Sequence, residues 1–372
     1  MVVLTLINFA TMRSLPTYGF QQRFTPEAPL VSILVPARNE ASNIARCIRS
    51  LLNQDYPNFE LLVLDDNSDD ATASIVEMLS SPTEDPQKRL RLIKGVDLPE
   101  GWLGKNFACH QLSQAARGDF LLFTDADTSH SVNAVSSAVA AMYIEDAQLT
   151  TFFPLQQTLM LGERLAVPLL QMYTYGLLPT FLVPRNPNPA FSAANGQFML
   201  FNRGAYEHIG GHQAVRGVVL EDVVLGRRIK QAGFKLLLPD GRDSMTCRMY
   251  RSNSEVWRGF SKNFFAFFNF ELGWLTLFLL LNLLVFIGPL FFLFFGFLTK
   301  QPASAEWLWL PLAQIALGAI LRLLHSSRYN FILVDLLLQP VSIIYMTAIA
   351  LNSVRWKSEA TEWKGRKYRL HS

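Results

Sequence analysis

The stretch Phe120–Asp127, FLLFTDAD, is the sequence feature that most constrains the fold. Four apolar residues run into Thr124 and then into Asp125 and Asp127, which one small residue separates. An unbroken apolar run is typical of a strand buried on both faces of a sheet. Both carboxylates would then lie at the carboxyl end of that strand, where open α/β sheets bind ligands. The pair favours a bound Mg²⁺ or Mn²⁺, although a solvated acidic turn gives the same isolated pattern.

The segments before this stretch alternate between short apolar runs and amphipathic helices, which predicts a mainly parallel sheet with right-handed crossovers. Strands are predicted at Leu30–Ala37, Glu60–Leu64 and Leu90–Lys94. Polar side chains follow several strands: Arg38 and Glu40, Asp65 and Asp66, and Asp125 and Asp127. Because parallel strands end at the same edge, we expect these side chains to converge there. Such a convergence favours a ligand site over a solvated turn.

The order after Asp127 is less regular. Strands are predicted at Leu149–Phe153 and Ala190–Asn202, with Gly196 at a close approach of the backbone to another group. Glu221 and Asp222 open a predicted helix, where two acids also suit the positive end of the helix dipole.

Composition separates this chain from nucleic-acid-binding and disulfide-rich proteins. Half of its 372 residues are apolar, only 17% are charged, and the formal charge is +3. That charge is too small to argue for nucleic acid. Its three cysteines, Cys47, Cys109 and Cys247, are far apart and fit no metal or redox spacing, which favours a reducing compartment.

The last third of the sequence is typical of a membrane protein. Transmembrane helices are predicted at Trp274–Leu298, Ala305–Leu324 and Tyr329–Leu351. The second and third contain Arg322 and Asp335, which must be paired, face protein or reach the interface. Three full crossings would put the basic tail on the side of the membrane opposite the predicted sheet domain, against the positive-inside rule. Either one segment is re-entrant or the rule is broken.

Two other apolar segments allow more than one interpretation. Met1–Ala10 is too short to span a bilayer and is either an interfacial or anchoring segment or a disordered tail. Leu165–Val183 carries no charge and contains two prolines, so it is either a helix at the bilayer surface or a buried helix. With the Phe-rich segment Trp257–Phe270, it is expected to lie at the cytoplasmic membrane face and to form a path from the bilayer to Asp222.

Five pieces of the sequence together resemble glycosyltransferase family 2, the inverting GT-A enzymes that use nucleotide-sugar donors. In order they are VSILVPARNE, LLVLDDNSDD, FTDAD, GQFMLFNRGAYEHIGGH and LEDVVLGRRIKQAG, within roughly residues 30–265. Two further pieces, GWLGKNFACHQLSQAARGD and WKGRKY, resemble membrane-bound transferases that glycosylate carotenoids and related lipids. The Gln-x-x-Arg-Trp motif of processive synthases is replaced by RMYRSNSEVWRG, which favours transfer of a single sugar.

The resemblance implies roles for matching residues. Asp222 would be the catalytic base, with Glu221 as the next candidate, and Asp127 would bind the metal with Asp125. The donor-binding residues would be Pro36, Ala37, Arg38, Glu40, Asp65, Asp66, Lys105, Asn106, Asp125, Gly196 and Arg251. His212 and Trp257 would lie on the acceptor side, although a structural histidine and an interfacial tryptophan anchor are equally compatible with the sequence.

The predicted organisation is an apolar N-terminal segment (1–29), a GT-A catalytic domain of α/β class (30–265), about three transmembrane helices (266–354) and a basic aromatic tail (355–372). The resemblance implies a multi-pass protein of the cell inner membrane with a cytoplasmic catalytic domain. It would move one sugar from a nucleotide-diphosphate sugar to a lipid-soluble acceptor such as a carotenoid, using Mg²⁺ or Mn²⁺. A UDP-sugar is the favoured donor.

Three alternatives stay open at this point. The acceptor could be another lipid, such as a polyprenyl phosphate, hopanoid or ceramide, or the enzyme could be a polysaccharide synthase. A membrane scaffold with a degenerate nucleotide-binding domain is the non-enzymatic alternative. The intact Asp125/Asp127 and Glu221/Asp222 pairs count against degeneracy.

Overall fold

The computed structural model describes residues 1–20, 22, 24–299, 305–357, 361–363 and 366–368. The chain packs as two compact units. The sheet unit comprises Thr11–Gln157, Thr180–Met249 and the described part of Glu362–Ser372. The helical unit comprises Met1–Ala10, Thr158–Pro179 and the described part of Tyr250–Thr361. This division follows packing, whereas the predicted domain boundaries follow motifs and hydropathy, and those boundaries stay predictions.

A seven-stranded sheet forms the core of the sheet unit, in the order β3-β2-β1-β4-β8-β6-β9. A smaller sheet has the order β5-β10-β7, and β11 pairs with β12. The strands are β1 Val31–Ala37, β2 Phe59–Asp65, β3 Leu90–Lys94, β4 Phe120–Thr124, β5 Thr128–His130, β6 Leu149–Thr151, β7 Leu155–Gln156, β8 Phe198–Asn202, β9 Leu236–Leu237, β10 Met245–Cys247, β11 Thr361–Trp363 and β12 Arg366–Tyr368.

The first four strands are parallel, as predicted. Every residue of β1, β2 and β4 is buried, which explains their unbroken apolar sequences. Strand β8 runs antiparallel to both β4 and β6. Ala37 at the end of β1 pairs with Asp65 at the end of β2, so the polar residues that follow these strands share one edge of the sheet.

The helices lie between the strands and in the second unit. Helix α3 shows why they pack, since its Ile44, Cys47, Ile48 and Leu51 lie on one buried face. The helices are α1 Val2–Thr11, α2 Pro16–Gly19, α3 Ile44–Leu52, α4 Thr72–Leu79, α5 Gly104–Ala115, α6 Ala134–Glu145, α7 Leu161–Leu177, α8 Arg203–His208, α9 Glu221–Gln231, α10 Asn253–Phe267, α11 Leu272–Asn282, α12 Gly288–Leu298, α13 Leu310–Tyr329 and α14 Gln339–Ser353.

The strand predicted at Ala190–Asn202 begins only at Phe198. Before it, side chains accept the backbone N–H groups that a longer strand would use for hydrogen bonds to its neighbours. The Asn195 N–H donates to Thr151 Oγ1 (2.9 Å), and the Gly196 N–H donates to Asp222 Oδ2 (2.8 Å). A short 3₁₀ turn at Pro189–Phe191 precedes them. These local bonds compete directly with sheet pairing.

Three of the described helices are long and apolar enough to cross a membrane: Leu272–Leu298, Glu306–Tyr329 and Asp335–Ser353. They correspond to the three predicted segments. Arg322 donates to Gln339 Oε1 (3.2 Å) and to the Arg164 carbonyl (3.0 Å). Asp335 forms an ion pair with Arg164. The two charges within the apolar segments therefore have protein partners, as expected.

Helix α7 covers most of the uncharged segment Leu165–Val183, and the greater part of it is buried. Asn8 of α1 donates to the carbonyls of Tyr175 and Leu178, both at 2.8 Å. This packing fits the buried-helix alternative for the segment, while its position relative to a membrane stays a prediction. The side chains of the predicted basic tail after Arg355 lie outside the described residues.

Candidate active site

Lys105 links two of the predicted acidic motifs at the carboxyl edge of the sheet. Its Nζ lies 2.8 Å from Asp125 Oδ1 and 3.2 Å from Glu221 Oε1. The three side chains come from the start of α5, the end of β4 and the start of α9. Burial alone would lower the pKa of Lys105, but Asp125 and then Glu221 outweigh it and hold the pKa well above its usual range. The site thus keeps a fixed positive charge among its carboxylates.

Asp222 lies beside this network and is held by the backbone. Its Oδ2 accepts the Gly196 N–H and its Oδ1 accepts the Val223 N–H, both at 2.8 Å. Burial and then the charge of Glu221 raise the pKa of Asp222 to about 6, while Lys105 and the two hydrogen bonds oppose that rise. A carboxylate with such a pKa is a stronger base than ordinary aspartate and is still mostly ionised at neutral pH.

Gly196 lies at the close approach predicted from the sequence. A Cβ there would lie 3.1 Å from Lys105 Nζ and 3.4 Å from Asp222 Oδ2. A side chain at this position would therefore crowd the Lys105 ammonium and contact the Asp222 carboxylate. The glycine lets the backbone N–H reach the Asp222 carboxylate directly.

Asp127 has a neighbour that sequence reasoning missed. The Cys247 thiol donates to Asp127 Oδ1 at 3.5 Å and accepts from Gln197 Nε2 at 3.0 Å. Cys247 reaches this position because β10 pairs with β5, which directly follows Asp127. No spacing or hydrophobic period in the sequence indicates such a pairing between strands so far apart in the chain.

The donor set fits a divalent cation that a diphosphate also ligates. Asp125 and Asp127 are partly exposed and offer hard oxygen ligands on one short turn. Among the described residues, no cluster of three or more His, Cys, Asp or Glu could hold a metal ion. Two carboxylates supply only part of a coordination shell, so oxygens of a bound ligand would have to complete it.

The ends of β1 and β2 place the predicted nucleoside-binding residues together. Pro36 pairs with Leu64, and Ala37 pairs with Asp65. Asp65 Oδ2 accepts the Ser68 N–H at 3.3 Å, whereas its buried Oδ1 has no hydrogen-bond partner among the described residues. A buried carboxylate oxygen without a donor is costly. It is therefore a suitable acceptor for an N–H group of a bound base.

Arg38 and Glu40 shape the loops around Asp65. The Arg38 guanidinium donates to the carbonyls of Asp66 and Asn67. The Glu40 carboxylate accepts from Asn43 Nδ2 at 2.8 Å. The contacts bring Arg38, Glu40 and Asp66 to the same edge as Asp65, and their predicted roles in donor binding stay predictions.

Asn106 is 1% exposed and binds the backbone of the loop before α9. Its Nδ2 lies within hydrogen-bonding distance of the carbonyls of Val215 (2.8 Å), Arg216 (3.3 Å) and Val218 (2.9 Å). These contacts give Asn106 a structural role of its own. Its predicted contact with a diphosphate stays a prediction.

Replacing Asn106 by alanine should lower the free energy of unfolding by about 1–3 kcal/mol, because buried carbonyls lose their donor. Thermal unfolding of the purified full-length protein measures this, with Gln114→Ala, an exposed change on the same helix, as the control. Unchanged stability together with weaker donor binding would contradict the structural role and favour direct contact with the donor.

His212 is 3% exposed and lies in the core of the sheet unit. Its Nδ1 is 2.8 Å from the Tyr206 hydroxyl, and its ring packs against Phe123 with centroids 4.6 Å apart. Burial, and then Lys105, lower the pKa of His212 to about 3, so the imidazole is neutral at physiological pH. These surroundings favour the structural alternative, and its acceptor-side role stays a prediction.

Arg251 and Trp257 belong to the helical unit. The Arg251 N–H donates to Glu255 Oε2 at 2.8 Å, and the Trp257 ring lies 5.8 Å from that of Tyr345. Their predicted contacts with donor and acceptor stay predictions.

The sequence of this chain is similar to those of known glycosyltransferases. Residues 32–210 match the sequence profile of glycosyl transferase family 2. The 4,4'-diaponeurosporenoate glycosyltransferase of Staphylococcus haemolyticus is 23% identical over 226 residues, which cover 60% of this chain and 57% of that protein. The protein of the same name from Staphylococcus aureus strain MRSA252 is also 23% identical, over 91% of this chain and 88% of that protein. The chain thus spans little more than half of the first relative.

A similar solved structure is the mannosyltransferase PcManGT of Pyrobaculum calidifontis in complex with GDP-Man and Mn²⁺. It covers 96% of this chain and 98% of its own, with a TM-score of 0.54 and 18% sequence identity. At that identity the likeness shows the fold, which is the expected GT-A fold. The comparisons therefore show that residues 32–210 are similar to the family 2 glycosyltransferases and that the chain has a GT-A fold.

Proposed function

We propose that this protein is a membrane-bound inverting glycosyltransferase that moves a single sugar from a nucleotide-diphosphate sugar to a lipid-soluble acceptor. A UDP-sugar is the first candidate donor and a carotenoid the first candidate acceptor. The observation that carries this proposal is the assembly of Asp125, Lys105, Glu221 and Asp222 at one edge of the sheet. It combines a cation-binding turn, a fixed positive charge and a candidate base.

The donor-side chemistry follows from the charges. A divalent cation, when bound, neutralises the diphosphate and makes it a better leaving group. Asp127 and Asp125 would hold that ion, and the Lys105 ammonium would add positive charge to the same region. The unpartnered oxygen of Asp65 would accept an N–H of the base. These roles leave Asp222 available for the acceptor.

The transfer is a single displacement. The acceptor oxygen forms a bond to the anomeric carbon while the bond from that carbon to the diphosphate breaks. The acceptor proton passes to Asp222, and the nucleoside diphosphate leaves with the bonding electron pair. Because the nucleophile enters opposite the leaving group, the anomeric configuration inverts.

A lipid acceptor and a membrane location are supported by two observations. Two relatives carry the name 4,4'-diaponeurosporenoate glycosyltransferase. Three helices of this chain are long and apolar enough to cross a membrane. We infer a multi-pass protein of the inner membrane whose catalytic domain faces the cytoplasm, where nucleotide sugars are made available to it.

The purified full-length protein in nanodiscs, supplied with nucleotide sugars and pooled lipids, should convert a lipid to a product heavier by one glycosyl residue. Mass spectrometry of extracted lipids detects it, and a carotenoid acid or alcohol should be modified in preference to ceramide or hopanoid. Asp127→Asn serves as the matched inactive control. Release of nucleoside diphosphate without any heavier lipid would contradict a lipid acceptor, and soluble polymer would favour a polysaccharide synthase.

A further inference from the structure

A cavity of about 550 Å³ opens at the amino edge of the central sheet. Its lining includes Leu30, just before β1, and Phe59 and Glu60 at the start of β2. The active-site residues follow the opposite ends of the same strands. Strand β2 alone, from Phe59 to Asp65, separates the two edges by about 20 Å at roughly 3.3 Å per residue. The cavity is therefore distinct from the site proposed for sugar transfer.

Four cationic side chains line this cavity, Lys88, Arg89, Arg91 and Arg117, against one lining carboxylate, Glu60. Arg117 binds Glu60 Oε2 through both Nε (3.0 Å) and Nη2 (2.8 Å), and Ser32 donates to Glu60 Oε1. This carboxylate is thus already satisfied. Its single charge leaves the lining of the cavity with an excess of positive charge.

The guanidinium groups are fixed in place but keep donors to spare. Arg89 donates to the Pro57 carbonyl (2.8 Å) and lies over the Phe59 ring, 4.1 Å from its centroid. Arg91 donates one N–H to the Ala115 carbonyl at 2.9 Å. Each guanidinium carries five N–H donors, so these contacts use only a part of them. Fixed, partly unused guanidinium donors suit phosphate oxygens.

Lys88 adds a charge that the fold holds in an unusual conformation. Its backbone has φ +53°, in the left-handed region that favours glycine or asparagine. The side chain is exposed and has no ion-pair partner among the described residues. Glycine or asparagine would be less strained at this position but would carry no charge. The lysine adds a mobile positive charge to the lining of the cavity.

We propose that this cavity binds a multiply charged phosphate group, through Lys88 and Arg91 with Arg89 and Arg117 as fixed flanking cations. Its volume lies within the range of small-ligand pockets, and a concave basic lining suits a compact polyanion. The phosphate can come from a free phosphorylated metabolite or from the headgroup of an acidic lipid. Both sources present the same oxygens to the same donors.

The test uses the full-length protein in nanodiscs of neutral lipid, with EDTA present so that no cation supports diphosphate binding at Asp125 and Asp127. Isothermal titration with inorganic pyrophosphate should show binding that weakens as salt rises. The double variant Lys88→Asn/Arg91→Gln should bind at least about tenfold more weakly, since two charged donors are lost. Asparagine tolerates the backbone conformation of Lys88, so this variant should fold.

A matched control makes the result specific. Arg49→Gln/Arg185→Gln also removes two exposed cations, outside the cavity, and should bind pyrophosphate like the wild type. Equal weakening in the Arg49/Arg185 double variant, or unchanged binding in the Lys88/Arg91 one, would overturn the proposal.

A second titration with dihexanoyl phosphatidic acid distinguishes the two sources. Stronger binding of pyrophosphate points to a free metabolite, and stronger binding of the short-chain lipid points to a headgroup. Either result requires the same loss in the Lys88/Arg91 variant. Binding of neither probe to the wild type would overturn the proposal.

Discussion

Replacing Asp222 by asparagine is expected to lower kcat with a hydroxyl acceptor by about a hundredfold or more. General bases contribute on that order, and asparagine cannot accept the acceptor proton. Donor binding should stay close to normal, because Asp222 bonds to the backbone of Gly196 and Val223 and not to the predicted nucleoside-binding residues. Steady-state kinetics with a titration of donor binding measure both quantities.

Glu221→Gln is the matched control for this prediction, since it removes the neighbouring carboxylate. Glu221 pairs with Lys105, so its loss should affect donor binding more than proton transfer. A carboxylic acid acceptor supplies a second control, because it is already ionised at neutral pH and has no proton to give. If Asp222→Asn lost donor binding and kept its turnover, Asp222 would not be the base.

The pH dependence of the transfer rate also tests whether Asp222 is the base. Burial and Glu221 raise the pKa of Asp222 to about 6, and the base is active only when ionised. The rate with a hydroxyl acceptor should therefore fall about tenfold per pH unit below about pH 6 and level off above it. The free energy of unfolding changes in the opposite direction. Because the pKa of Asp222 is raised in the folded state, this group stabilises the fold at low pH. That contribution is lost as the pH rises through about 6. The folding contribution of Asp222 therefore does not explain a loss of activity near pH 5.

Asp127→Asn is expected to abolish turnover, and removal of divalent ions by EDTA should silence the wild type. The physical reason is that Lys105 already neutralises Asp125, so Asp127 supplies the charge that a cation near the diphosphate requires. Loss of charge stabilisation at a leaving group typically costs a hundredfold or more in rate. Mn²⁺ added back should restore the wild type but not the variant.

A binding measurement separates this prediction from general damage. Electron paramagnetic resonance of Mn²⁺ with UDP should show a protein-bound ion for the wild type, and a much weaker one for Asp127→Asn. Glu77→Gln, an exposed acid on α4, should behave like the wild type. Full activity in excess EDTA would contradict the role of a metal.

Local sequence patterns predicted the parts of the fold that depend on burial. Strands β1, β2 and β4 are buried on both faces, so their sequences are unbroken apolar runs. Strand β3 is only partly buried but has the predicted bounds Leu90–Lys94. The three apolar helices could be predicted because length and hydropathy alone define them. The edge where Asp65 and Asp125 lie follows from the parallel order of the strands.

The features that depend on tertiary contacts could not be predicted from the sequence. The cysteine beside Asp127 arrives by the pairing of β10 with β5, strands more than a hundred residues apart. The burial of His212 depends on Tyr206 and Phe123. The bonds from Asn106 to a distant loop likewise have no local signature. In each case the side chain's partner, and not its neighbours in sequence, decides its role.

The anomeric configuration of the lipid product tests the central claim most directly. The wild type should be supplied with an α-linked UDP-sugar and a lipid alcohol in nanodiscs, and the isolated product examined by NMR. We predict one sugar per lipid in the β configuration, formed at least about a hundredfold more slowly by Asp222→Asn. An α-linked product, or a chain of several sugars on each lipid, would contradict a single inverting transfer.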